Sequence, residues 1–256
     1  FYAILFFIIS ISVTLPFFIL GSFFIADRYA YVPYIGLFWF IGFKLSEFYK
    51  NSNSYNFFNI KYLWVFILLI SILFSYLSYK RNLVWKNSKT LYKDVVYKKP
   101  YAYLGWYSLA NSYQDDNETE KAILLYHKAL KLNPYDASVY LNLANSYNNK
   151  NDYWKALWYN DICIELDSTQ DFAYSNRAIT KTHIANYNSA IKDYVNAIKI
   201  NMFSPVYWSG LGNVFMKLNK YDYAIECFNK SIVLNNIYDE SVYINRGICY
   251  LNLKDN

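Results

Sequence analysis

Two patterns of apolar residues divide the chain. Through residues 1–79 they form long uncharged runs. Residues 1–25 carry no charged side chain. Residues 31–43 form a shorter run that reaches Tyr49 if Lys44 snorkels, and residues 62–79 are again uncharged. About 20 apolar residues suffice to span a bilayer, so three membrane segments are expected, with 62–79 the clearest. Pro16 and Gly21 interrupt the first, which places its helical end near Thr14 and a loop at the membrane surface over 15–30. Residues 50–61, polar and rich in Asn, read as a further loop. Buried helices of a soluble protein have similar runs, but three in so short a stretch leave too little polar sequence to cover them.

From Tyr103 the apolar positions recur with a period of 34 residues. Trp106, Leu109, Ala110, Tyr113, Ala122, Tyr126, Ala129 and Pro134 are followed by Tyr140, Leu143, Ala144, Tyr147 and Ala156. Next come Tyr174, Ala178, Ala190, Tyr194 and Ala197, then Trp208, Leu211, Gly212, Phe215, Ala224 and Phe228. A fixed period of this length marks a stack of helical hairpins, because one hairpin cannot bury its apolar face alone. Ala110, Ala144, Ala178 and Gly212 let the paired helices approach closely, and Ala122, Ala156, Ala190 and Ala224 serve the next contact. Trp106, Tyr140, Tyr174 and Trp208 fill the gap between hairpins. Asn117, Asn151, Asn186 and Asn219 fall in the turns, where a short polar residue tolerates left-handed backbone.

This pattern resembles the tetratricopeptide repeat, with units over 103–136, 137–170, 171–204 and 205–238. A partial fifth over 239–256 begins near Glu240, one residue out of step. The period also extends backward. Pro100 stands one period before Pro134, and Leu91, Tyr92, Val95 and Val96 make a helical stripe ahead of it. Residues 87–99 are therefore expected to form an unpaired second helix that caps the stack. The expected fold is all-α: transmembrane helices in 1–79, a basic linker and capping helix over 80–102, and a repeat solenoid over 103–256, a right-handed superhelix of hairpins.

Charge follows the same division. The chain carries a net +6, but residues 1–100 hold 11 Lys and Arg against 3 Asp and Glu, whereas 101–256 hold 14 against 16. The excess is thus juxtamembrane, in Lys80, Arg81, Lys86, Lys89, Lys93, Lys98 and Lys99, and is no nucleic-acid footprint. Such a cluster either sits against anionic headgroups, with Lys80 and Arg81 nearest the membrane, or forms a solvated helix face with ordinary stop-transfer charge. Cys163, Cys227 and Cys249 lack metal-ligand spacing and read as plain thiols. His127 is expected on the solvent side of a second helix, and His183 near the inner rim. No phosphate loop, nucleophile elbow, zinc motif or dinucleotide fingerprint occurs, so no catalytic residue, metal or cofactor is assigned. Asn117-Glu118-Thr119 and Asn229-Lys230-Ser231 are sequons that matter only in a glycosylating lumen. Phe1 lies inside an apolar run with no charged segment before it, unlike a signal peptide, and the chain reads as a piece of a longer protein.

Between the first two membrane segments stands Ala26-Asp27-Arg28-Tyr29-Ala30-Tyr31-Val32-Pro33-Tyr34-Ile35-Gly36, and Trp85-Lys86-Asn87-Ser88 precedes the repeats. With this order of elements, the chain resembles the C-terminal part of the TMTC-like membrane glycosyltransferases of the GT-C type, which carry tetratricopeptide repeats. The resemblance implies a parent enzyme that glycosylates proteins. The family's acidic catalytic residues lie in an early loop that nothing here matches. Asp27 and Arg28 either hold a lipid phosphate through the Arg fork or pair with each other to fix the loop.

Asn111, Asn145 and Asn213 share one position of the first helices, and Asn142, Asn176 and Asn245 share another. Side-chain amides both donate and accept, so rows of them can grip an extended peptide backbone. The rows resemble the asparagine ladder of O-GlcNAc transferase, though Ser108 and Gly210 break one and Ile179 and Ile248 the other. A carboxylate clamp is not expected, since its positions hold Leu104, Tyr107, Asn142, Phe172 and Asn176. The function expected is a membrane-anchored module that binds a protein or extended peptide, with lipids as its other partner. The alternative is a non-enzymatic membrane scaffold. The chain is expected to be a multi-pass membrane protein. The basic cluster argues that its repeats are cytoplasmic; the family resemblance favours an extracytoplasmic or lumenal side.

Overall fold

The computed structural model describes residues 57–235 and 239–254, together with Gly42, Phe43 and Glu47. The first two membrane segments and the Asp27–Arg28 pair lie outside these residues, apart from Gly42, Phe43 and Glu47, which are helical. The chain divides into two compact units, Phe1–Tyr76 and Leu77–Asn256. Helix α1 (Phe57–Val84) has 28 residues. Among the described residues no helix is long and apolar enough to cross a membrane. Several side chains of α1 are outside the described set, so the span expected over 62–79 rests on its sequence.

Ten further helices follow: α2 (Ser88–Lys98), α3 (Tyr103–Asp115), α4 (Thr119–Leu132), α5 (Ala137–Asn149), α6 (Tyr153–Leu166), α7 (Asp171–His183), α8 (Tyr187–Ile200), α9 (Pro205–Lys217), α10 (Tyr221–Leu234) and α11 (Glu240–Lys254). The hairpins α3–α4, α5–α6, α7–α8 and α9–α10 stack in order, each second helix packing on the next first helix. Ala110, Ala144, Ala178, Ala122, Ala156, Ala190 and Ala224 are all fully buried. At Gly212 even a methyl group is excluded, since a Cβ would come within 2.8 Å of the Phe228 ring. The large residue at the first-helix start fills the gap between hairpins and serves the loop as well. Trp106 Nε1 donates to the Pro100 carbonyl at 2.8 Å, Tyr140 Oη to Pro134 at 3.0 Å, and Trp208 Nε1 to Met202 at 3.1 Å.

Each hairpin turn contains one left-handed residue: Asn117, Asn151, Ala185 and Asn219, with φ between 57° and 60°. Asn186, expected in this role, is instead the N-cap of α8 at φ −85°. The third turn thus places an alanine where left-handed backbone costs about 1–2 kcal/mol.

Helix α2 packs on α3 as the second helix of a hairpin without a first. Asn87 starts it with a capping box, its side chain accepting from Thr90 N while Thr90 accepts from Asn87 N. Val96 is buried, and Val95 and Val96 close to 3.0 and 3.1 Å of where a Gly105 Cβ would stand. Lys89 bridges Asp116 and Glu118 in the α3–α4 turn, at 2.8 Å to Glu118. The last turns of α1 join this unit through Arg81 Nη1 on Asp94 Oδ2 at 3.0 Å and Thr90 Oγ1 donating to the Val84 carbonyl at 2.8 Å.

Candidate peptide-binding wall

Neighbouring first helices touch one another at α5–α7, α7–α9 and α9–α11, and consecutive second helices make no comparable contact. The curve therefore closes on the first helices, which line its inner wall. Asn111, Asn142, Asn145, Asn176, Asn213 and Asn245 all lie on these helices and all are half-buried. Helical spacing puts Leu104, Tyr107, Gln114, Leu141, Phe172, Ile179, Val206, Ile244 and Ile248 on the same side. Among the described residues, charge on this side lies at its edge, at Asp115 and Lys217.

The six amides do not form one open row. Asn142 Nδ2 donates to Asn111 Oδ1 at 3.1 Å and to Tyr107 Oη at 3.0 Å, while Tyr126 Oη donates to the same Asn111 oxygen at 2.7 Å. Asn245 Nδ2 donates to Asn213 Oδ1 at 3.0 Å. The bond from Tyr126 ties α4 to α3 within the first hairpin, whereas those from Asn142 and Asn245 join one first helix to the next. Two more do the same: Ser146 Oγ donates to Gln114 Oε1 at 2.8 Å and, one repeat later, Thr180 Oγ1 to Asn148 Oδ1 at 2.9 Å. Between the two amide pairs, Asn145 and Asn176 make no side-chain hydrogen bond among the described residues. The row breaks at Gly210 for a steric reason, because a Cβ there would sit 2.6 Å from the Tyr194 ring.

Beside this wall lies an ionic cluster that the apolar repeat pattern does not reveal. Arg177 occupies the position held by buried Leu109, Leu143 and Leu211 in the other hairpins. Its Nε and Nη2 grip Asp193 at 2.9 and 2.7 Å, its Nη1 reaches Asp161 at 2.6 Å, and Lys181 Nζ holds Asp193 at 2.7 Å. Asp193 is only 4% exposed. Burial opposes the Arg177 charge, but the hydrogen bonds to Asp193 and Asp161 outweigh it and keep the guanidinium protonated. Arg246 on α11 repeats part of this contact, donating to Asn229 Oδ1 at 2.6 Å. The apolar core divides at the same level. One cluster runs from Val96 to Tyr159 and the next begins at Ala178. The available signal was an Arg on a leucine position with an Asp sixteen residues later.

Both histidines pack against a tyrosine ring. His127 is half-buried, not solvent-facing, because Tyr159 of α6 packs against it with Oη 3.5 Å from Nε2. His183 stacks on Tyr153 at 5.1 Å. Burial pushes the Cys163 and Cys227 thiols up to about 11 and raises Cys249 as well. Among the described residues no cluster is placed to hold a metal ion.

Comparison with known families matches the tetratricopeptide repeat at residues 103–136 and 205–236, and again at 125–157. The third hairpin, which contains Arg177 and Asp193, is passed over. No curated protein matches the chain by sequence. Solved structures are similar in fold. PilW, a type IV pilus biogenesis factor, shares 17% identity at a TM-score of 0.62, over 70% of this chain and 83% of its own. MamA shares 22% identity at 0.53, over 59% and 82%. YrrB, described as a TPR protein with an unusual peptide-binding site, shares 17% at 0.53, over 64% and 84%. The chain carries tetratricopeptide repeats folded as an all-α solenoid.

Proposed function

We propose that the inner wall binds an extended, uncharged polypeptide segment, and that the solenoid is the C-terminal part of a GT-C-like membrane glycosyltransferase that holds its protein substrate near the embedded active site. The observation that carries the binding reading is the unpaired state of the Asn145 and Asn176 amides. Each supplies a donor and an acceptor for a peptide backbone, and Phe172 and Ile179 beside them are exposed apolar contacts. The near absence of charge on the wall disfavours acidic tails, which need cationic partners when desolvated.

Membrane anchoring is supported by the uncharged residues 62–79, and the enzyme by the Asp27–Gly36 segment and the order of elements. Headgroup contacts are proposed for Asp27, Arg28, Lys80 and Arg81; at Arg81 a headgroup would share the guanidinium with Asp94. Lys89 and Lys98 pair with carboxylates, so the basic cluster belongs largely to a folded cap, in keeping with repeats on the extracytoplasmic or lumenal side. Fluorescence anisotropy of the full chain in detergent, with a labelled uncharged peptide, tests the binding. Losing two hydrogen bonds of about 0.5–1.5 kcal/mol each, the Asn145→Ala/Asn176→Ala variant weakens binding by about 5-fold or more. Unchanged affinity refutes the ladder. Sequence preceding Phe1 separates enzyme from scaffold: a many-span region with an acidic first loop supports the enzyme.

A further inference from the structure

The two sequons, alike as strings, differ in the folded chain. Asn117 lies in the α3–α4 turn, exposed and left-handed at φ 59°. In the second and fourth hairpins the equivalent turn residues, Asn151 and Asn219, accept hydrogen bonds from Tyr153 and Tyr221 at 2.9 Å. In the first hairpin that tyrosine is replaced by Thr119, which cannot span the gap. The Asn117 side chain consequently makes no hydrogen bond among the described residues. Glu118 between them is turned to Lys89 and Lys121, away from the acceptor. Asn229 is in the opposite state. It sits within α10 with its oxygen taken by Arg246, and Ser231 is 2% exposed with its hydroxyl on the Pro205 carbonyl at 2.8 Å.

We propose that Asn117 is an acceptor for an N-linked oligosaccharide and that Asn229 is not. The donor class is a lipid pyrophosphate-linked oligosaccharide. The Asn117 amide nitrogen attacks the anomeric carbon, a C–N bond forms and the bond from that carbon to the pyrophosphate oxygen breaks. The amide proton passes to a base of the transferase, and the lipid pyrophosphate leaves. The fold accommodates this product, since Asn117 is exposed in its turn and is not among the inner-wall amides. A glycan on Asn229 would displace Arg246. This inference rests on the extracytoplasmic or lumenal placement of the repeats.

The test is expression of the full chain in a eukaryotic cell, with gel mobility read before and after peptide N-glycosidase, and protease protection measured in sealed microsomes. The wild type should show one glycosidase-sensitive step and protected repeats. Asn117→Gln and Thr119→Ala should each abolish the step, and Asn229→Gln should leave it unchanged. Protected repeats without a step overturn the acceptor site alone. A step that survives Asn117→Gln does the same. Digestion of the repeats from the cytoplasmic face overturns the site and the assigned side together.

Discussion

Replacing Arg177 by leucine tests whether the ionic cluster is a fixed part of the third hairpin. The substitution restores the residue type found at Leu109, Leu143 and Leu211, so steric fit is not the issue. What it removes is the bidentate partner of Asp193, a carboxylate with 4% of its surface exposed. Breaking a buried pair from one side costs about 3–5 kcal/mol, because the remaining charge is left uncompensated. Lys181 stays within 2.7 Å of Asp193, which puts the expected loss near the lower end, at about 3 kcal/mol. Asp161 adds little, since its side chain is 53% exposed and solvent screens it.

The double variant Arg177→Leu/Asp193→Leu gives the sharper result. In the first hairpin the two equivalent positions are Leu109 and Leu125, both buried in one apolar cluster. Lys181, half-buried, then needs only to swing its amine into water. Well-packed apolar replacements of buried ion pairs are often neutral or stabilising, so the double variant should lie within about 1 kcal/mol of wild type. Urea unfolding followed by far-ultraviolet circular dichroism measures both, provided the slope stays constant. A neutral single variant would mean that water already compensates Asp193. A double variant as unstable as the single would mean that the hairpin cannot close over apolar residues. Either result sinks the argument.

Ala185→Asn should stabilise the stack by about 1 kcal/mol, since asparagine accepts the left-handed backbone that alanine resists; an unchanged urea midpoint would contradict this. Burial, with Lys131 nearby, lowers the His127 pKa below its ordinary 6.5. The unfolded chain then takes up the proton first, and stability falls as pH drops through about 6.5 toward the folded value. The urea midpoint of His127→Phe should accordingly lose less between neutral and mildly acidic pH than wild type; equal losses count against the assignment. The buried thiols of Cys163, Cys227 and Cys249 should resist maleimide in the native state and react in urea. Rapid native labelling of Cys163, which is fully buried, would be inconsistent with the packing.

The hairpins were legible because their cause is periodic. One helix pair cannot bury its own apolar face, so the same small and large residues must return at the same spacing. Residue preference points to Asn186 for the third turn, but the left-handed position falls on Ala185, with Asn186 capping α8. Counting one period from Asn151 leads to Ala185. Hydrogen bonds such as Asn142 to Asn111 and Thr180 to Asn148 were out of reach for another reason. They join residues 31 and 32 positions apart, and that separation has meaning only once adjacent first helices are known to touch. Arg177 was visible as a departure from leucine, yet nothing local to it says that Asp161 and Asp193 converge there from two different hairpins.

The amides that remain open and the charges that are buried occur at the same level of the stack. Asn111–Asn142 and Asn213–Asn245 use part of their capacity to hold neighbouring helices together. Asn145 and Asn176 do not, and they flank the junction where the apolar core gives way to Arg177, Asp161 and Asp193. An ionic contact fixes orientation more narrowly than an apolar one, because a guanidinium meets a carboxylate in few geometries. Arg177 follows Asn176 directly on α7, so whatever orients one sets the angle at which the other faces the groove. A stable Arg177→Leu/Asp193→Leu variant therefore separates two roles. If peptide affinity falls while the urea midpoint holds, the cluster aims the binding amides. If both hold, it serves the fold alone.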